Sequence, residues 1–165
     1  MQVTVHHRDP VLLVASWHNV FFGYWCGGAT VQALRILEGH ERALHARLGE
    51  RLAVYTIVEP SAMRFDEAAR VEATRVAREM GPKVAGHAQV IDGTGLIAAA
   101  ARAIVTGVNL LARQPHPARV FSKDGDAARW LVQFVQSAQP AATAALLAAV
   151  SDVRSRFAAG AAPPK

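Results

Sequence analysis

The first 25 residues are short β-prone runs, and the pattern then changes to helical spacing. Residues 2 to 7 (QVTVHH) and 11 to 17 (VLLVASW) flank the turn tripeptide Arg8-Asp9-Pro10, which predicts an antiparallel hairpin. A third strand follows in VFFGYWC. Gly27-Gly28 breaks that run, and Thr30 is placed to cap a helix whose apolar positions Leu34, Leu37, Leu44 and Leu48 recur at near-helical spacing until Gly49.

LAVYTIV, residues 52 to 58, is a β-branched and apolar run closed by Glu59-Pro60, which reads as a buried central strand. A helix is predicted from about Asp66 to Met80. Phe65, Ala69, Ala73, Val76 and Met80 line one face, while Glu67, Arg70, Glu72, Arg75, Arg78 and Glu79 occupy the wet remainder. Gly81-Pro82 ends it. VAGHAQVI predicts the next strand, followed by a glycine turn and a helix over about 96–113 that stops before Pro115 and Pro117. ARVFS predicts a last strand, and Asp124 or Ser122 is placed to cap a helix through DAARWLVQFV.

From Leu52 onward the order is β-α-β-α-β-α, which implies an α/β fold with a mainly parallel sheet and an antiparallel hairpin on one side. A further helix over 139–158 carries Leu146, Val150, Val153 and Phe157 at i, i+4, i+7 and i+11, a single apolar stripe suited to docking on its own domain or on a neighbour. Residues 159–165 read as a flexible tail.

Composition narrows the classes. At 165 residues, with 52% apolar and 19% charged residues, the chain has the balance of one globular domain. The net charge of +5 is scattered and interleaved with acids, as in FDEAARVEATRVAREM, which argues against nucleic-acid binding. The single Cys26 excludes an intrachain disulfide and fits a reducing compartment. No secretory pattern and no long apolar span is present, so the expected location is cytoplasmic.

Several motifs invite chemistry. Gly93-Thr94-Gly95-Leu96-Ile97-Ala98 fits the dinucleotide-loop pattern. It follows a late strand, however, and no acid stands where a ribose would need one, so the plainer reading is a turn with glycines at positive φ and no cofactor. In the helix behind it, the polar residues Arg102, Thr106, Asn109 and Arg113 fall on one narrow line. The surplus apolar surface, including Leu96, Ile97, Ile104 and Val108, must face the C-terminal helix, a second subunit or a ligand.

His6 and His7 are expected to alternate across their strand, and His40 and His45 are five apart. His18, His87 and His116 stand alone in sequence, so no metal site is expected. YWCGG holds half of a thioredoxin-type motif without a second cysteine. No serine elbow, P-loop or distinguished carboxylate pair appears, so the residues do not point to an enzyme. The aromatic residues Trp17, Phe22, Tyr24 and Trp25 precede the first helix and are candidates for core packing or for lining a pocket.

With LAVYTIVEPSAMRFDEAARV in its middle and PARVFSKDGDAARWL near its end, the chain resembles, over about residues 2–135, the STAS-like family related to anti-sigma factor antagonists. The resemblance implies a four- or five-strand sheet backed by helices, and a protein that acts by binding partners. Regulated members carry a phosphorylatable serine at the start of the helix after the central strand. Ser61 is the residue onto which that role carries, although Glu59-Pro60 precedes it and no glycine follows. The resulting expectation is a regulatory interaction module that self-associates through apolar helix surface. The alternative is a carrier that holds a small apolar ligand between sheet and helices.

Overall fold

The structure is a computed structural model and describes residues 2–59, 62, 66–93, 95, 96, 98, 99, 102, 103, 105, 114–136 and 143–161. Strands β1 (Thr4–Arg8) and β2 (Leu12–Trp17) form the expected hairpin. The Asp9 carboxylate closes it by accepting from the amides of Val11 and Leu12 at 2.7 and 2.8 Å. The chain turns through His18, at φ 52°, into β3 (Val20–Trp25).

Thr30 caps α1 (Val31–Leu48) by accepting from the Ala33 amide at 3.1 Å, and Gly49 ends it at φ 70°. Then come β4 (Leu52–Val58), α2 (Glu67–Met80), β5 (Val84–Ile91) and β6 (Ala118–Phe121). The chain continues through α3 (Asp124–Leu131) and α4 (Thr143–Ala161). Asp66 caps α2 through the Ala69 amide at 2.7 Å. Between β5 and β6 the described residues 95, 96, 98, 99, 102, 103 and 105 are helical, as the pattern predicts.

The six strands lie in the order β1-β2-β3-β4-β5-β6. β1, β2 and β3 pair antiparallel, and β3, β4, β5 and β6 pair parallel. The sheet exceeds the implied four or five strands because β1 and β6 both pair at its edges. The crossovers from β3 to β4 and from β4 to β5 step the same way. With right-handed connections α1 and α2 must therefore lie on one face. That face holds Leu12, Val14, Phe21, Trp25, Leu52 and Val54. The opposite face holds Leu13, Phe22, Tyr24, Tyr55, Ile57 and Val90, covered by α3 and α4.

The stripe of the C-terminal helix is part of this second core. Leu146, Val150, Val153 and Phe157 are 0, 1, 0 and 7% exposed, and the Phe157 ring lies 4.6 Å from that of Tyr24. Proposed from sequence as an interaction surface, these four residues instead bury themselves on their own sheet. Each contributes about 1.5–3 kcal/mol of apolar burial.

Three further expectations are corrected. The register shifts between Val5 and His7, so His6 occupies a β-bulge and the two histidines do not alternate. Glu72, assigned to the wet side of α2, is 8% exposed and bonds Arg35 of α1 at 3.0 Å and Arg75 at 2.9 Å. These bonds, the Arg75 one foremost, hold its carboxyl down at about 2. Asp124 and Ser122 do not cap α3, which starts after Lys123 with no side-chain cap.

Glu38 and Glu41 of α1 are also buried. Glu38 joins the arginine network through Arg75 and Arg42. Burial, and then the charge of Glu38, push Glu41 up to about 7 against the pull of Lys83 and Arg42.

Two substitutions test the packing. A Cβ at Gly86 would sit 2.5 Å from Phe134 Cδ2, so Gly86→Ala should lower stability by about 1–3 kcal/mol in urea denaturation. Gly39, within α1, has nothing within 4 Å of an added Cβ, and Gly39→Ala should raise stability by up to about 1 kcal/mol. The same sign for both would refute this account. Glu41 generates a pH test. Its folded pKa of about 7 exceeds the ordinary 4.5 of a glutamate, so the native state holds the proton longer and Glu41's contribution falls as pH rises through that window. Glu41→Gln should therefore gain on the wild type between pH 5 and 8, by at most about 3 kcal/mol. A flat difference across that range would show that Glu41 titrates normally.

Candidate functional site

Parallel α/β sheets place their polar chemistry in the crevice beyond the carboxyl ends of the strands. Here that edge collects Tyr24 near the end of β3, Glu59 after β4, Asp92 after β5 and Asp124 at the start of α3. The backbone sets these positions. The Glu59 amide donates to Trp25 O at 2.9 Å and the Asp92 amide to Val58 O at 3.2 Å, so each loop leaves its strand level with its neighbour. Gly93 and Gly95 follow at φ 94° and 83°, the positive values expected of the glycine turn. Arg102 donates to the carbonyls of Ile91 and Gly93 at 3.2 and 3.3 Å and holds the turn against the strand end.

Arg154 of α4 reaches into this edge. It bonds Asp92 at 2.6 and 2.9 Å and Asp124 at 2.9 and 3.0 Å, and its guanidinium lies 5.7 Å from the centre of the Tyr24 ring. Burial works against that charge, but the hydrogen bonds it donates to both aspartates outweigh it and raise the arginine's pKa further. The Tyr55 hydroxyl donates to Asp124 at 2.8 Å, and the Tyr24 hydroxyl donates to Glu59 at 2.8 Å. Burial, joined by the facing carboxylates, raises both phenols. They are fixed as donors. Asp124 fails to cap α3 because its carboxylate is taken by Tyr55 and Arg154, while its position in the first turn remains favourable for an acid.

Chemically this is a clamp. Two bidentate pairs engage four of the guanidinium's five N–H donors, and the arrangement ties the C-terminal helix to the loop after β5 and to α3.

The remaining sequence candidates are dispersed. Ser61, Ile97, Ile104 and Val108 lie outside the described residues, whereas Leu96 is described and 89% exposed. Trp17, Phe22 and Tyr24 face α3 and α4, Trp25 faces α1 and α2, and none exceeds 7% exposure. Strand alternation therefore divides the aromatic set between two cores. Cys26 donates to Pro10 O at 3.3 Å, and burial, then the charges of Glu59 and Asp9, push its thiol up.

The structure joins residues that look isolated in sequence. His87 and His116 have ring centres 6.4 Å apart. His87 bonds Thr56 at 2.8 Å, and burial, then His116, push it down to about 3. His6 and His7 both approach His40, at 5.8 and 6.2 Å between ring centres. The clamp of Arg154, Asp92 and Asp124 spans three elements, so no local spacing could reveal it.

Comparison with protein-family models, with curated proteins and with solved structures finds no match. Among the described residues no helix is long and apolar enough to cross a membrane.

Arg154→Leu tests the clamp. It leaves Asp92 and Asp124 facing each other without their shared cation and should cost about 2 kcal/mol in chemical denaturation. The partial exposure of the pairs limits the loss. An unchanged midpoint would show that the clamp holds nothing.

Proposed function

We propose that the chain is a non-catalytic interaction or regulatory module of STAS-like layout, working in the cytoplasm and self-associating through the strand-end edge next to the clamp. The observation that carries this reading is Leu96. It follows Asp92 by four positions and stands 89% exposed beside a polar cluster whose charged groups already engage one another. The two phenols are held protonated and the arginine is bound to two carboxylates, so this edge favours a contact surface over a reaction centre. With the stripe of α4 buried, the self-association expected from sequence moves to Leu96 beside this polar edge.

Light scattering across a dilution series should show the wild type above monomer mass and Leu96→Glu at monomer mass with unchanged circular dichroism. A wild type that is monomeric at every concentration would end the self-association reading. Native mass spectrometry that retained a small apolar mass would overturn the proposal in favour of a carrier.

A further inference from the structure

The two side edges of the sheet are built differently. β1 forms one of them, and its regular pairing is interrupted by the bulge at His6, a device that turns an edge away from further strands. β6 forms the other with unbroken parallel register, from His87 opposite Ala118 to Val90 opposite Phe121. The His87 amide donates to Pro117 O at 2.9 Å, so the odd-numbered residues of this strand turn their backbone groups toward β5. By alternation Ala118 and Val120 present their N–H and C=O groups outward, where no described residue bonds them.

We propose that β6 is a docking edge for an extended acidic segment of a partner protein, which adds to the sheet as a further strand. Backbone chemistry selects the form of this partner. The outward groups of Ala118 and Val120 are both donors and acceptors, and another extended chain supplies the complement of each. Phosphate oxygens of a nucleic acid only accept, and would leave the two carbonyls unpaired.

Charge selects its composition. Arg119 within β6 and Lys123 just beyond it are exposed, and among the described residues no carboxylate pairs with either. The neighbouring acids are taken, Asp124 by Arg154 and Tyr55, and Asp126 by Arg129. A second copy of the chain would bring the same two cations to the contact, which opposes self-pairing along β6.

The side chains of the strand add a pattern. Arg119 lies on the α3 side, its guanidinium 5.6 Å from the centre of the Trp130 ring, and that ring packs against Phe121 and Phe134 at 5.8 and 5.2 Å between centres. The stacking holds the cation beside the open edge. Ala118 and Val120 face the other side of the sheet and are half-buried. A strand laid against β6 therefore matches it best when acidic side chains alternate with apolar ones.

The test is an NMR titration of the full-length protein with a capped peptide of alternating glutamate and valine, read through amide shifts and hydrogen exchange. The peptide should bind with a Kd of about 1 mM or tighter and slow exchange at the Ala118 and Val120 amides. The amides of Arg119 and Phe121, already turned to β5, should exchange as before, and added salt should weaken binding. Val120→Pro removes an outward donor without touching the β5 ladder, and should abolish binding with an unchanged circular dichroism spectrum. Its mass by light scattering should equal that of the wild type, because the Leu96 contact is separate. Arg119→Glu should weaken binding about ten-fold, whereas Arg70→Glu on α2 should leave it unaltered. If the proline variant loses its fold, Arg119→Glu and the exchange pattern decide the question. No binding at that concentration, or shifts without slowed exchange at Ala118 and Val120, overturns the proposal. Protection of these two amides that grows with protein concentration alone would assign the edge to a second copy. Tighter binding of a thymidine oligonucleotide than of the peptide would assign the patch to nucleic acid, and either result overturns the proposal equally.

Discussion

The sheet has two apolar faces, and everything else in the fold follows from covering both. Every residue of β2 and β3 is buried, with Leu12, Val14, Phe21 and Trp25 toward one side and Leu13, Ala15, Phe22 and Tyr24 toward the other. One helical layer would leave half of these side chains in water. Right-handed crossovers commit α1 and α2 to a single face, so only segments after β6 remain to cover the second. α3 is short, and α4 supplies Leu146, Val150, Val153 and Phe157. The clamp at Arg154 fixes where along the sheet that helix sits.

Much of this could be read from the chain. Β4 and β5 coincide with their apolar runs, and Thr30, Asp66 and Gly49 perform the capping that their chemistry predicts. Those features are local, because a cap or an alternating strand involves residues a few positions apart. The stripe on α4 was legible as a stripe but not as a core element, since the same spacing serves a sheet and a partner equally. The aromatic group preceding α1 looked like one cluster because sequence proximity hides the alternation that sends Tyr24 and Trp25 to opposite sides. Most of the candidate site was illegible. Arg154 meets Asp92 across 62 positions and Asp124 across 30, and only the folded topology brings them together. The bulge at His6 was missed for a related reason, because an extra residue in one strand is defined only against its partner.

The charged residues divide by position into two physical roles. Between α1 and α2, Arg35, Arg42 and Arg75 neutralise Glu38, Glu72 and Glu79, so the charges of two amphipathic helices become part of their contact. At the strand ends, Arg154 is held between the loop after β5, the start of α3 and a tyrosine ring. The first network joins neighbouring helices on one face, while the second joins the last helix to segments that emerge from the sheet. Removing an ion from the first is cushioned by its other partners. At Arg154 a single guanidinium serves both aspartates, and Asp124 keeps only the Tyr55 hydroxyl when it is removed.

That dependence links the proposed contact edge to the C-terminal helix. Asp92 both receives Arg154 and begins the turn that carries Leu96, with Gly93 and Gly95 setting the turn's path and Arg102 pinning its carbonyls. A partner that engaged Leu96 and required this turn in its present shape would bind more tightly while Arg154 held Asp92 in place. By reciprocity it would stabilise the seating of α4 to the same extent. A partner that displaced the turn would have the opposite effect, because freeing Asp92 loosens a charged tether of α4 to the end of β5. The distinction rests on differential affinity for two positions of a single loop, and so requires no change in the sheet itself.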